Sequence, residues 1–227
     1  MRESSRRINL LSTLNSTKSY LEIGVETGGT FIEVEAEYKV GVDINFLFDT
    51  EALGNERVKF FRQPSDEFFS HNKYVFDLVF IDGLHTFEQT LRDFMNSLVF
   101  THERSIIIID DVFPSDVYSS LRGHFDAVGF RHQAGGSGHD WHGDVYKLIF
   151  FIHDFMPTLS YATINEGLNK QTVVWRENRK KFSPIFNDVE PISRLDYFSM
   201  LKNKEIMNFI SEASLPSYIK LPDVRSR

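Results

Sequence analysis

Short runs of β-branched and aromatic residues alternate along this chain with stretches whose apolar positions recur at helical spacing. That alternation predicts βαβ units and a mainly parallel sheet. Seven strands are expected, at Tyr20–Val25, Lys39–Asp43, Val58–Phe61, Phe76–Asp82, Ser105–Asp110, Ser160–Asn165 and Thr172–Arg176. Between the fourth and fifth, Phe87, Leu91, Phe94 and Leu98 fall on one face of a helix over Thr86–Phe100. Only Glu166–Gln171 separates the last two strands, too little chain for a helical crossover, so these two should form an antiparallel hairpin. The expected architecture is α/β, with helices on both faces of a seven-stranded, mainly parallel sheet that ends in this hairpin.

With 227 residues, 41% of them hydrophobic, the chain can bury one full core. The expected division is one domain over residues 1–176 and an appendage over 177–227, punctuated by Pro184, Pro191, Pro216 and Pro222 around one helical stretch, Leu195–Ser211. The appendage is either a tail packed on the outside, a substrate cover, or an arm that makes a homodimer. There is no Cys, which excludes a disulfide scaffold, thiolate zinc sites and a cysteine nucleophile, and suits a reducing, cytoplasmic setting. No apolar run approaches a membrane span and the N-terminus lacks a signal-type apolar core, so a soluble, unexported protein off the membrane is expected. Residues 1–173 carry 15 Lys and Arg against 25 Asp and Glu, while 174–227 carry 10 against 7. An acidic main body repels phosphate backbones, so a nucleic-acid substrate is disfavoured.

The first predicted strand runs into Glu22-Ile23-Gly24-Val25-Glu26-Thr27-Gly28-Gly29-Thr30. Glycines here let the backbone turn sharply and approach a ligand. A dinucleotide fingerprint wants G-x-G-x-x-G, whereas the spacing is G-x-x-x-G-G with a carboxylate inside the turn. That carboxylate would be costly in a pyrophosphate cradle, but S-adenosylmethionine (SAM), whose amino-acid end carries an ammonium, welcomes acidic neighbours. Asp43, nineteen residues after Gly24 at the tip of the second strand, is placed to accept ribose hydroxyls. Ser65 and Asp66 either face an adenine edge or cap a helix over Glu67–His71.

Strand four ends in Asp82-Gly83-Leu84-His85 and strand five in Asp110-Asp111. Neighbouring strands lie roughly 4.8 Å apart, so the three carboxylates should converge, and like charges that close need a proton or a cation between them. An all-oxygen set of Asp82, Asp110 and Asp111 suits Mg²⁺, with Mn²⁺ or Ca²⁺ as alternatives, and not zinc. His85 is then placed as a general base for an acceptor hydroxyl. The same residues also fit a structural role, with Asp82 touching only the ligand and Asp110 and Asp111 capping a loop.

The stretches YLEIGVETGGTF, YKVGVDI, FDLVFIDGLHTFEQTLRDF and IIIIDDVFP resemble class I, Rossmann-like SAM-dependent methyltransferases, in the branch of sugar O-methyltransferases and cephalosporin-hydroxylase-like proteins. The resemblance covers roughly residues 18–176, and the D-G-x-H-x-[YF]-E run at 82–88 with Asp110-Asp111 is its most specific part. It implies Glu22, Gly24, Thr27, Gly28 and Gly29 around the methionine end of SAM, and Asp43 on the ribose. It further implies Asp82, Asp110 and Asp111 on a divalent metal, and His85 as base. Catechol O-methyltransferase, similar in its metal logic, has Asn where Asp111 stands, and THERS replaces the family's commoner K-P-G-G turn before strand five.

Residues 131–143, RHQAGGSGHDWHG, read as a flexible loop before a helix over Asp144–Phe155, with His139, Trp141 and His142 as candidate substrate contacts. The expected activity is methyl transfer from SAM to a hydroxyl of a small polar, sugar-like acceptor. The alternatives are a methyltransferase that needs no metal, a nicotinamide-dependent oxidoreductase, and a non-catalytic or hydroxylase-like relative that keeps the SAM pocket or the metal alone.

Overall fold

The computed structural model describes residues 1–222; the last five residues of the expected appendage, 223–227, lie outside the described residues. Eight strands form one sheet: β1 Ser19–Ile23, β2 Tyr38–Asp43, β3 Val58–Arg62, β4 Phe76–Ile81, β5 Thr101–Ile109, β6 Leu159–Ile164, β7 Thr172–Arg176 and β8 Phe209–Ile210. Their order is β3-β2-β1-β4-β5-β7-β6-β8. The five strands from β3 to β5 are parallel, β7 pairs antiparallel with both β5 and β6, and β8 returns parallel to β6. The α/β architecture and the terminal hairpin follow the sequence expectation; the strand count is corrected from seven to eight. Phe209 and Ile210 were hidden inside the expected helix Leu195–Ser211.

The helices are α1 Glu3–Asn15, α2 Gly29–Glu33, α3 Thr50–Leu53, α4 Ser65–His71, α5 Phe87–Val99, α6 His124–Gln133, α7 Tyr146–Phe155, α8 Val189–Ser193, α9 Tyr197–Lys202 and α10 Leu215–Tyr218. Side chains alternate along the central strands, as pleating requires, apart from one irregularity in β4 between Phe76 and Leu78. Leu21, Ile23, Val79, Ile81, Ile107 and Ile109 point to the face covered by α4, α5, α7 and segment 186–209. Tyr20, Leu78, Phe80, Ile106 and Ile108 point to the face covered by α1 and α2. Strands buried on both faces read as unbroken apolar runs, which is why IIII at 106–109 could be placed from the sequence alone.

The expected single helix over Leu195–Ser211 is broken. Asp196 caps α9 by accepting from the Ser199 amide at 2.7 Å, and Asn208, at φ 50°, turns the chain into β8. Side chains of the domain hold this region: Tyr146 and Tyr161 hydroxyls donate to the carbonyls of Leu195 and Ile206 at 2.8 and 2.7 Å. No helix among the described residues is long and apolar enough to cross a membrane.

Helix α1, which no periodicity signal announced, is locked in place by Arg7. Its guanidinium is fully buried and donates to the Asn169 and Glu166 carbonyls, the Gln171 side-chain oxygen, Glu3 and Glu212. Removing one partner of a buried charged network leaves the rest unpaired, so Arg7→Met is expected to destabilise the fold by about 3–5 kcal/mol. A urea titration checks this; a midpoint unchanged from wild type would show that α1 docks by apolar contact alone.

Candidate active site

The chain crosses from β3 to β4 over β2 and β1, which leaves a crevice beyond the carboxyl ends of β1 and β4, where open α/β sheets bind ligands. A cavity of about 700 Å³ lies there, lined by Glu22, Gly24, Thr27, Gly29, Asp43, Ser65, Asp66, Asp82, His85 and Trp141 among others. The residues expected around the cofactor therefore share one cavity, except Gly28. At φ 75° Gly28 faces away, and an added Cβ would sit 2.8 Å from the Phe48 ring.

Gly24 shows why the turn needs glycine. It sits at φ 84°, and a Cβ there would fall 1.8 Å from the Asp82 carbonyl oxygen, so the turn after β1 lies directly against the end of β4. Glu26 takes a left-handed conformation at φ 45°, unfavourable for a side-chain-bearing residue. Asp43 supports it: one carboxylate oxygen accepts from the Val25 and Glu26 amides at 2.7 Å each, and the other from Asn45 at 2.8 Å. Asp43 thus shapes the turn while also facing the cavity.

Glu22 is 1% exposed, with the Tyr20 hydroxyl 2.5 Å from its carboxylate. Burial pushes its pKa up to about 8, against the pull of that hydrogen bond. Ser65 and Asp66 do not cap a helix as one reading expected, because α4 already begins at Ser65 after Pro64. The Ser65 hydroxyl instead donates to Asp93 at 2.6 Å, and Gln89 donates to the same oxygen at 3.1 Å. Asp93 itself is raised to about 6 by burial and lines the cavity. The apolar spacing that predicts the helix over Thr86–Phe100 carries no signal for Asp93.

At the far end of the cavity Asp82, His85 and Asp111 bring one ligand atom each within 4.8 Å of one another. His85 Nε2 stands 2.9 Å from Asp111 Oδ2 and 3.5 Å from Asp82 Oδ1. Its Nδ1 lies 2.9 Å from the Trp141 carbonyl, which can only accept, so Nδ1 carries a proton. Nε2 then faces two carboxylates either as the second N–H of an imidazolium or with a lone pair toward a cation. Without a cation, burial opposes the charge, but hydrogen bonds and attraction from Asp111 and Asp82 prevail and hold the imidazole well above its usual range. Asp82 is raised to about 6, chiefly by burial.

Asp110 stands outside this group. One of its oxygens accepts from Asn169 Nδ2 at 2.7 Å, Gln171 Nε2 at 3.1 Å and the Asp111 amide at 3.0 Å, and burial pushes it far above the usual carboxylate range. Asp111, at φ 57°, turns the other way, toward His85. The expected all-oxygen set of Asp82, Asp110 and Asp111 is thus observed as two carboxylates and an imidazole. The two partners of Asp110 sit at the hairpin turn, where the sequence showed only a connector.

The histidine loop divides. Residues 141–144 are laced over His85: the Trp141 ring stacks on the imidazole at 4.6 Å, and a Cβ on Gly143 would lie 1.7 Å from the His85 carbonyl. His142 is buried behind Asp111, its Nε2 3.9 Å from Asp111 Oδ1 and its Nδ1 without a hydrogen-bond partner. His139 is exposed beside His132 and does not line the cavity. His124, absent from the sequence reading, does line it.

Residues 15–112 match the model of a methyltransferase domain family. Among solved structures, the chain is similar to a Klebsiella pneumoniae protein provisionally assigned as an O-methyltransferase, at 17% identity and TM-score 0.54, over 78% of this chain and 81% of that one. It is also similar to a Bacillus cereus O-methyltransferase in complex with S-adenosylhomocysteine (SAH), at 16% identity and TM-score 0.52, covering 78% and 82%. The Streptomyces achromogenes O-methyltransferase TomG, in complex with SAM, follows at 14% identity and TM-score 0.51, covering 77% and 79%. No curated protein matches the chain. The resemblance to class I SAM-dependent methyltransferases is borne out; neither comparison singles out the sugar and cephalosporin-hydroxylase-like branch.

Glu22 yields a pH signature. Its carboxyl keeps its proton in the fold up to about pH 8 but loses it near 4.5 when unfolded, so the folded state holds the extra proton between these values. The stability it contributes is complete below pH 4.5 and disappears as pH rises to 8, at about 1.4 kcal/mol per pH unit. Glu22→Gln is expected to remove this loss, so its Tm advantage over wild type should grow from pH 6 to pH 8 in thermal scans. A constant difference would mean that the carboxyl is already ionised at neutral pH.

Proposed function

We propose that this chain, with the fold of the class I methyltransferases, moves the methyl group of SAM to a hydroxyl of a small polar, sugar-like acceptor. The observation that supports this most is that Glu22, Asp43 and Asp82, from the ends of three neighbouring strands, line a single cavity beside the glycine turn. The carboxylates of Asp43 and Asp82 suit the ammonium and sulfonium of SAM and oppose the pyrophosphate of a nicotinamide dinucleotide, as does Glu26 within the turn, while Glu22, which keeps its proton, adds a polar wall without a charge. The acceptor would stand toward His85, Trp141 and His124; its oxygen would take the methyl group as the C–S bond to the sulfonium breaks and leaves the SAH thioether, with the hydroxyl proton passing to water.

The group of Asp82, His85 and Asp111 fits a divalent cation, since two carboxylates, Asp111 buried and Asp82 half-buried, face an imidazole whose other nitrogen is fixed as a donor. Bound there, such an ion would lower the acceptor hydroxyl's pKa and orient it. An imidazole in the set favours Mn²⁺ or another first-row ion over Mg²⁺, which prefers oxygen donors alone. His85 has both nitrogens committed, so its proposed role is to hold Asp82 and Asp111 or to ligate the ion rather than to act as a free base. Trp141 and Gly143 keep its ring in that orientation.

Calorimetry should show SAM and SAH binding, with NAD giving no heat; the reverse would remove the reading. Asp111→Asn is expected to cut turnover by about 10²-fold or more while leaving SAH affinity within about two-fold, because it disturbs acceptor alignment and not the cofactor. Chelation by EDTA with restoration by Mn²⁺ supports the cation. Full activity in EDTA would assign the same transfer to the protein side chains alone.

A further inference from the structure

The cavity presents an electrostatic mismatch. Its wall carries Glu22, Glu26, Asp43, Asp66, Asp82 and Asp93, yet the amino-acid end of SAM or SAH brings a carboxylate as well as an ammonium. The ammonium is well served by this wall and the carboxylate is not. Among the described residues, one guanidinium or ammonium group lines the cavity, that of Arg2.

Arg2 is held for this position through its backbone. It precedes α1, its amide donates to Glu33 Oε2 at 2.6 Å, and its carbonyl accepts from the Ser5 hydroxyl at 3.0 Å. Glu33 closes α2, the helix that Gly29 opens, so α1 and α2 are tied together just where the side chain leaves. That side chain crosses directly over Gly29. A Cβ at position 29 would lie 1.9 Å from the guanidinium carbon and 2.2 and 2.3 Å from its two terminal nitrogens. Gly29 has an ordinary φ, so backbone freedom does not explain it; the bare surface serves as the seat of the guanidinium. The head group makes no hydrogen bond to the described residues.

We infer that Arg2 binds the carboxylate of the cofactor's methionine moiety, with Gly29 as the residue whose missing side chain admits it. This rests on the cofactor reading above. It divides the amino-acid end between two sources: the sheet rim takes the ammonium, and the N-terminal helix reaches over to take the carboxylate. A planar guanidinium suits that task because it presents paired donors to the two carboxylate oxygens.

The test compares SAH with its decarboxylated analogue, S-adenosyl-3-thiopropylamine, which keeps the ammonium and lacks the carboxylate. Titration calorimetry is run on the full chain as wild type, Arg2→Gln, Gly29→Ala and the double variant, each checked for an unchanged thermal midpoint. Arg2→Gln is expected to weaken SAH by about 10- to 100-fold, the scale of one or two charge-assisted hydrogen bonds, and to leave the analogue within two-fold. Gly29→Ala should lower SAH affinity in the same direction by displacing the guanidinium, and should add little in the double variant. Equal SAH affinity in wild type and Arg2→Gln overturns the assignment with the cofactor reading intact. Equal losses for SAH and the analogue overturn it too, since Arg2 would then act on the cavity's shape. If wild type binds neither compound, the cofactor reading itself falls.

Discussion

Burying carboxylates at one rim of the sheet is the constraint from which the site follows. Each acidic group taken out of water must find a proton, a donor set or a cation, and the structure supplies a different answer to each. Glu22 keeps a proton beside Tyr20, and Asp43 takes three backbone amides. Asp93 takes a serine hydroxyl and an amide, and Asp110 takes the two hairpin amides. Asp82 faces the His85 imidazole, which Asp111 shares while also accepting from Asn169. Only that last answer is exchangeable, because a proton or a cation can occupy the space between His85 Nε2 and the two carboxylates.

The supports of this rim reach across the molecule. The Gln171 side chain accepts from Arg7 on α1 and donates to Asp110 at the end of β5, so a buried cation on one face of the sheet fixes a carboxyl at its edge. Asn169 bridges Asp110 and Asp111 through one nitrogen, 2.7 Å from each. The antiparallel hairpin therefore does more than extend the sheet: its turn keeps Asp110 from joining the group that Asp111 enters, and sets the split between these adjacent residues.

The parts of this arrangement legible in the sequence are those with a local signal. Apolar runs placed β1, β4 and β5, glycine spacing placed the turn after β1, and the acidic residues at strand ends pointed to one rim. What escaped depends on contacts between distant segments. Asp110 and Asp111 look equivalent in the chain and part only because Asn169 and Gln171 come back beside them. Arg2 lies 27 positions from Gly29, and nothing local joins the two. His139, His142 and Trp141 look alike as loop residues, yet only Trp141 faces the cavity. The stretch at 195–211 had helical spacing, but Asn203 and Asn208 carried turn chemistry that spacing does not register.

The brevity of β8 bears on what the sheet offers at its border. β6 has six residues, and two of them, Thr163 and Ile164, pair with β8 before the chain turns away into α10. An outermost strand of two residues offers almost no template for a further strand, and at the opposite border β3 exposes Lys59 and Arg62. Short or charged borders are a general defence against edge-to-edge aggregation. Residues 209–210 thus leave that border of the sheet ending in a strand too short to template a further one.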